Sequence, residues 1–154
     1  MKKQLIAGLF ALFLLVGCSS DSKSAHTAAC SFDAAEGMKI DFTVTAPEDT
    51  ITKVNYHISL DYKKLGYDLS KVSDNIKKST ASNVLEQLGF SSDNKGVTVK
   101  TKYDKTALNI DVEINLEKAD SEVLDVLGFT NSTKEDLNFK KFLKNAQNSG
   151  VACK

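Results

Sequence analysis

The side chains of this 154-residue chain whose types invite chemistry are three cysteines, two histidines and one closely spaced pair of acids. Cys18 stands where an apolar run turns abruptly polar, in Leu14-Leu15-Val16-Gly17-Cys18-Ser19-Ser20. Cys30 and Cys153 lie near the two ends of the chain beyond that point. His26 and His57 have no partner at metal-binding spacing, since neither His-x-x-x-His nor Glu-x-x-His occurs, so neither a metal nor a cofactor is expected. Asp111 and Glu113 are the residue types of a glycosidase acid and base, but that role needs a cleft to raise one pKa. On an alternating strand beside Lys100 and Lys102 they read instead as a solvated face. A Gly-x-Ser-x-Gly elbow and a glycine-rich phosphate loop are both absent, so no catalytic residue is assigned. What remains is a polar face of Asp41, Asn55, His57, Lys100, Asp111 and Glu113, with Ser59 and Asn109 beside them. It is the candidate binding face for a cell-wall component, a peptide or a partner protein.

The surroundings of Cys18 suggest an address. Met1, Lys2 and Lys3 make a basic start, residues 5–16 are almost purely apolar, and small residues come next, which is the three-part pattern of a secretory signal peptide over residues 1–17. The run is about a dozen residues long, short of the roughly 20 that a spanning helix needs. Leu15-Val16-Gly17-Cys18 resembles a bacterial lipobox, although Val16 stands where Ala or Ser is more usual. Cleavage before Cys18 would release a soluble chain, and acyl chains on that cysteine would restore the anchor, with more than one chain needed for durable attachment. Residues 18–29 are polar and aperiodic and read as a flexible tether. A single domain is expected over residues 30–154.

Composition narrows the partners. From Cys18 onward 18 lysines face 20 acids, a net charge near −2, and the chain has no arginine or tryptophan. Without a basic stripe there is no footprint for nucleic acid, and without guanidinium groups there is no bidentate recognition of phosphate. In an exported chain Cys30 and Cys153 meet conditions that permit a disulfide, and the ends of a compact domain are often close. A bridge between them is expected, with two free thiols as the alternative.

Positioning these residues requires a sheet. Met38, Ile40, Phe42 and Val44 alternate with polar residues, and after Pro47-Glu48-Asp49 so do Val54, Tyr56, Ile58 and Leu60, which predicts a hairpin. A strand from Cys30 to Ala34 precedes it. Val97, Val99 and Tyr103 pair with the run from Leu108 to Leu116, placing Lys100 opposite Asp111. Between the hairpins Leu69, Val72, Ile76, Val84 and Leu88 recur at helical spacing up to Gly89, with either a solvated turn or a break in the polar middle, residues 77–82. Ser132-Thr133-Lys134-Glu135 matches a capping box ahead of an apolar face of Leu137, Phe139, Phe142, Leu143 and Ala146, and Val151, Ala152 and Cys153 return to the sheet. Val84-Leu85-Glu86-Gln87-Leu88-Gly89-Phe90 echoes Val123-Leu124-Asp125-Val126-Leu127-Gly128-Phe129, with a fainter copy at Leu65-Gly66-Tyr67. Helix ends sharing a glycine stop and a trailing aromatic account for this more simply than a repeat array. The fold class is α+β: an antiparallel sheet of hairpins with two to three helices on one face.

With the lipobox, the Cys30-Ser31-Phe32 start, the Tyr62 to Gly66 segment, the late helix and the Gly150-Val151-Ala152-Cys153-Lys154 end in place, the chain resembles the YehR-like bacterial lipoproteins along essentially its whole length. The resemblance implies a small α+β domain, lipid-anchored and extracytoplasmic, and implies no reaction. The expectation is a non-enzymatic binding or accessory module on the outer side of the cell membrane, held there through Cys18. Its partner would be an envelope protein or cell-wall component. A small envelope hydrolase would instead need a pocket containing His57 or a close carboxylate pair with a perturbed pKa, and a ligand-binding lipoprotein a deep apolar cleft.

Overall fold

The computed structural model of the chain describes residues 25–129 and 137–154. The signal segment 1–17, Cys18 and the capping-box residues 132–135 lie outside them. Six strands, His26–Ala35 (β1), Met38–Ala46 (β2), Lys53–Asp61 (β3), Val97–Tyr103 (β4), Ala107–Asn115 (β5) and Ala152–Cys153 (β6), form one antiparallel sheet in the order β4-β5-β3-β2-β1-β6. Period-two alternation aligns across it, so that Ile40, Ile58 and Ile110 make one apolar row and Val44, Val54 and Ile114 another. Helices Asp74–Gln87 (α1), Ser121–Val126 (α2) and Phe139–Asn148 (α3) contribute Ala81, Val123, Leu124 and Phe139 to the same core. The opposite face of the sheet is open to solvent.

β1 starts earlier than the residue pattern suggests. Its first residues, 26–29, were expected in the tether, yet Ala28 is buried opposite Val44, and the His26 ring stacks on Phe139 with centroids 5.7 Å apart. Ala28 and Ala29 have little strand preference of their own, and it is the β2 ladder that recruits the segment.

The helical segment also differs. Leu69–Lys71 forms a short 3-10 turn, and Ser73 then caps α1 by accepting from the Ile76 N–H. The helix runs unbroken through the polar middle. It touches the core through Ala81 and partly through Val84, Leu85 and Leu88, while Ile76, expected on the apolar face, is 55% exposed. α3 begins at Phe139 with Asn138 as its cap, its side chain accepting from the Lys141 N–H. The β2–β3 connection fixes that start, because the Ile51 N–H donates to the Leu137 carbonyl and the Phe139 N–H to that of Asp49.

The echoed Leu-Gly-Phe segments are one hydrogen-bonding device. At the end of α1 the Gly89 N–H donates to Glu86 and the Phe90 N–H to Leu85; at the end of α2 Gly128 donates to Asp125 and Phe129 to Leu124. α3 ends the same way, with Gly150 donating to Gln147 and Val151 to Ala146, and the Tyr62–Tyr67 turn repeats it through Gly66. This is the Schellman cap, whose glycine takes the left-handed conformation that other residues resist.

The framework can be probed at the staple and at one glycine corner. Cys30 and Cys153 lie directly opposite in the β1–β6 ladder and are joined by a disulfide across 123 residues of sequence. Cys153→Ser is expected to cost about 2–5 kcal/mol in urea unfolding relative to the oxidised parent; coincident transitions would show that the staple constrains little. At Gly96, with φ at +76°, an added Cβ would lie 2.7 Å from both the Ala119 nitrogen and the Asn115 carbonyl oxygen, whereas one at Gly66 meets nothing. Gly66→Ala is therefore expected to cost about 1 kcal/mol for its φ alone and Gly96→Ala about 2–3 kcal/mol or more. Equal losses would mean that the Gly96 corner yields freely.

Candidate functional site

The register gathers the polar residues singled out above. Asp41, His57, Asp111 and Lys100 stand in one row across β2, β3, β5 and β4, and Asn55 and Glu113 lie in the next, between Thr43 and Thr98. All six surround a shallow depression of about 390 Å³ on the open face. Ser59 and Asn109 form a third row with Lys39 and Lys102. Lys100 stands opposite Asp111, but the Asp111 carboxylate accepts from His57 Nδ1 at 2.7 Å. Lys53 pairs with Glu113 at 2.9 Å, and Lys39 with Asp41 at 2.9 Å. Hydrogen bonds from Lys39 and Ser31 hold the Asp41 carboxyl below the usual carboxylate range. Exposed pairs of this kind contribute at most about 1 kcal/mol each. Their combined effect is a nearly neutral, hydrated surface whose charges answer one another.

A different site lies on the other face, between the sheet and the helix ends. It is an apolar cleft of about 510 Å³, within the range of roughly 300–1,000 Å³ typical of small-molecule sites. Phe32, Ile40, Phe42 and Tyr56 of the sheet form its floor. The ends of α1 and α2 supply Leu88, Phe90, Val126 and the residues through Phe129, and α3 supplies Phe142, Asn145, Ala146 and Ser149. The rings are in mutual contact: Phe42 lies 5.4 Å from Tyr56, 6.4 Å from Phe32 and 6.2 Å from Phe142, Tyr56 lies 5.5 Å from Phe90, and Phe129 lies 6.1 Å from Phe142. Such offset and edge contacts hold rings in place and stiffen the wall. Burial among them pushes the Tyr56 phenol up to about 12.

The cleft depends on the caps. Leu88, Leu127 and Ser149, the C-cap residues of α1, α2 and α3, all line it, and so do Phe90, Phe129 and Val151, the apolar residues directly after each glycine stop. The Gly-Phe echo was the one sequence signal pointing here. It marks each helix end separately and does not show that the ends converge. Among the described residues no group of three His, Cys, Asp or Glu could hold a metal ion, and no helix is long and apolar enough to cross a membrane.

A six-stranded antiparallel sheet with three helices makes this an α+β domain, and two solved structures share that architecture. The NMR structure of E. coli YehR superposes with a TM-score of 0.61 at 18% identity over 86% of this chain and 93% of that one. The NMR structure of a protein from Streptococcus pneumoniae TIGR4 gives a TM-score of 0.55 at 14% identity over 99% of both chains. At these identities the likeness is one of fold. The family model described as "Protein of unknown function (DUF1307)" matches residues 28–151, and the chain belongs to that YehR-like family. No curated protein matches the chain.

Tyr56 supplies a pH test of the cleft floor. Its folded-state value of about 12 lies above the ordinary 10, so its contribution is complete below pH 10 and is lost as pH rises toward 12. The parent is expected to lose about 2 kcal/mol more than Tyr56→Phe across that window in chemical denaturation. Parallel losses would mean that water reaches the phenol freely.

Proposed function

We propose that the protein is a lipid-anchored binding module of the cell envelope, tethered outside the cytoplasmic membrane by acyl chains on Cys18, with the aromatic cleft as its ligand site. The cleft is the observation that carries this reading. A preformed hollow with ring-lined walls and few polar groups is what a small apolar ligand requires, and it sits where a filled core would otherwise continue. The signal-like segment and the lipobox resemblance support the location. His57 opens on the opposite face of the sheet from the cleft, so the deep pocket that a hydrolase reading needs around this histidine is not the one formed here. The open polar face remains available to an envelope partner.

Two measurements test the proposal. Intact mass of the membrane-extracted protein is expected to begin at Cys18 and to carry added acyl chains; an unacylated mass would remove the anchor. The neutral dye 1-N-phenylnaphthylamine is expected to bind the full chain saturably. Ala146→Phe, which fills the cleft from α3, should weaken that binding at least about tenfold, the loss of one well-buried ring's contacts. Undiminished binding to a folded Ala146→Phe variant would rule the cleft out as the site.

A further inference from the structure

We infer that the free edge of β4 is a docking site for an extended segment of a partner protein, one whose acidic residues alternate with apolar ones and which adds to the sheet as a further antiparallel strand. The site shares no residue with the cleft, so it stands or falls independently of the ligand reading. β4 is the last strand of the sheet. Its register with β5 fixes which of its backbone groups are free, because hydrogen-bonded and non-hydrogen-bonded pairs alternate along an antiparallel ladder. The Asn115 N–H donates to the Gly96 carbonyl at one end of the pair, and the Asp104 N–H to the Ala107 carbonyl at the other. Thr98, Lys100 and Lys102 therefore engage β5 through their backbone groups, and Val99, Thr101 and Tyr103 turn theirs outward, where no hydrogen bond is made to them among the described residues. Such an edge is a template for another strand. The opposite edge of the sheet is not equivalent, because β1 is crossed near its middle by β6 and the Cys30–Cys153 bridge.

The side chains of β4 select the kind of strand that fits. Val99 and Tyr103 pack partly against the core, whereas Lys100 and Lys102, on the alternate positions, are exposed on the polar side. Neither ammonium group has an ion-pair partner among the described residues, since Asp111 accepts from His57 and Glu113 pairs with Lys53. Lysines on an edge repel unsuitable strands. A second copy of β4 is one of these, because antiparallel pairing centred on Lys100 or on Thr101 sets lysine opposite lysine, an unfavourable cross-strand pair. An incoming strand with carboxylates at alternate positions meets the same groups as partners, while its apolar residues fall beside Val99 and Tyr103. β5 has this pattern itself, with Asp111 and Glu113 set between Ile110, Val112 and Ile114, and it is the strand that β4 holds on its other side.

The test is fluorescence anisotropy of three labelled peptides with the full chain: Thr-Glu-Val-Glu-Val-Glu-Thr, its counterpart with lysine in place of glutamate, and the acidic peptide N-methylated at both valines, whose amides would face the outward groups of β4. The acidic peptide is expected to bind at least about tenfold more tightly than the lysine peptide, the combined effect of several cross-strand charge pairs. Lys100→Glu/Lys102→Glu, shown folded by its melting transition, is expected to reverse that order, and N-methylation is expected to abolish binding to the parent. Absence of binding by the acidic peptide, or an order unchanged in the variant, would overturn the assignment. Binding to the parent undiminished by N-methylation would overturn it as well, since charge attraction alone needs no backbone ladder.

Discussion

A sheet that is apolar on one face and polar on the other must be covered on one side and left wet on the other, and the rest of this protein answers to that division. Rows such as Ile40, Ile58 and Ile110 cannot face water across three strands. The cost of exposing apolar area, about 25 cal/mol per Å², is what brings three otherwise modest helices onto the sheet. α1 illustrates how little of that work a helix needs to do, since it reaches the fully buried core through Ala81 alone and leaves Ile76 outside.

Coverage is incomplete where all three helices stop. Each ends in a Schellman cap, and the cap turns the chain so sharply that the residue after the glycine points back toward the sheet. Phe90, Phe129 and Val151 thereby ring a space above Phe42 and Tyr56 that none of the helices fills. The same feature that terminates the helices therefore shapes the cleft. A cavity bordered by helix C-termini and aromatic rings differs in kind from the open face, where His57, Asp111, Glu113 and Asp41 are offset by neighbours under solvent.

The disulfide belongs to this arrangement as well. Cys153 comes within five residues of the end of α3 and is fixed to β1, whose Phe32 lies in the cleft floor. Backbone bonds between Ala29 and Lys154 flank the bridge at 3.0 and 2.8 Å. The wall contributed by α3 is thus held at both ends, by β6 behind it and by the Asp49 and Ile51 backbone at its start.

The amino-acid pattern determined by itself whatever depends on neighbours in the chain. Alternation from Met38 to Leu60 and from Val97 to Leu116 specified the hairpins and the membership of the polar face, because a period of two admits one way of burying one side, and a turn over residues 104–107 set Lys100 opposite Asp111. The glycine stops after Leu88 and Leu127 were legible for the same reason, whereas the pairing of the two end cysteines was expected from export and from the closeness of a domain's ends. Only the tertiary structure decided the rest. The start of β1 at His26 comes from a ladder with β2, the exposure of Ile76 from how α1 lies on the sheet, and the exchange of Lys100 for His57 as the partner of Asp111 from side-chain reach. The cleft is the clearest case. Its rings come from segments as distant as Phe32 and Phe142, and no local periodicity records that three separately capped helices will end at one place, because that convergence arises from packing over a common sheet.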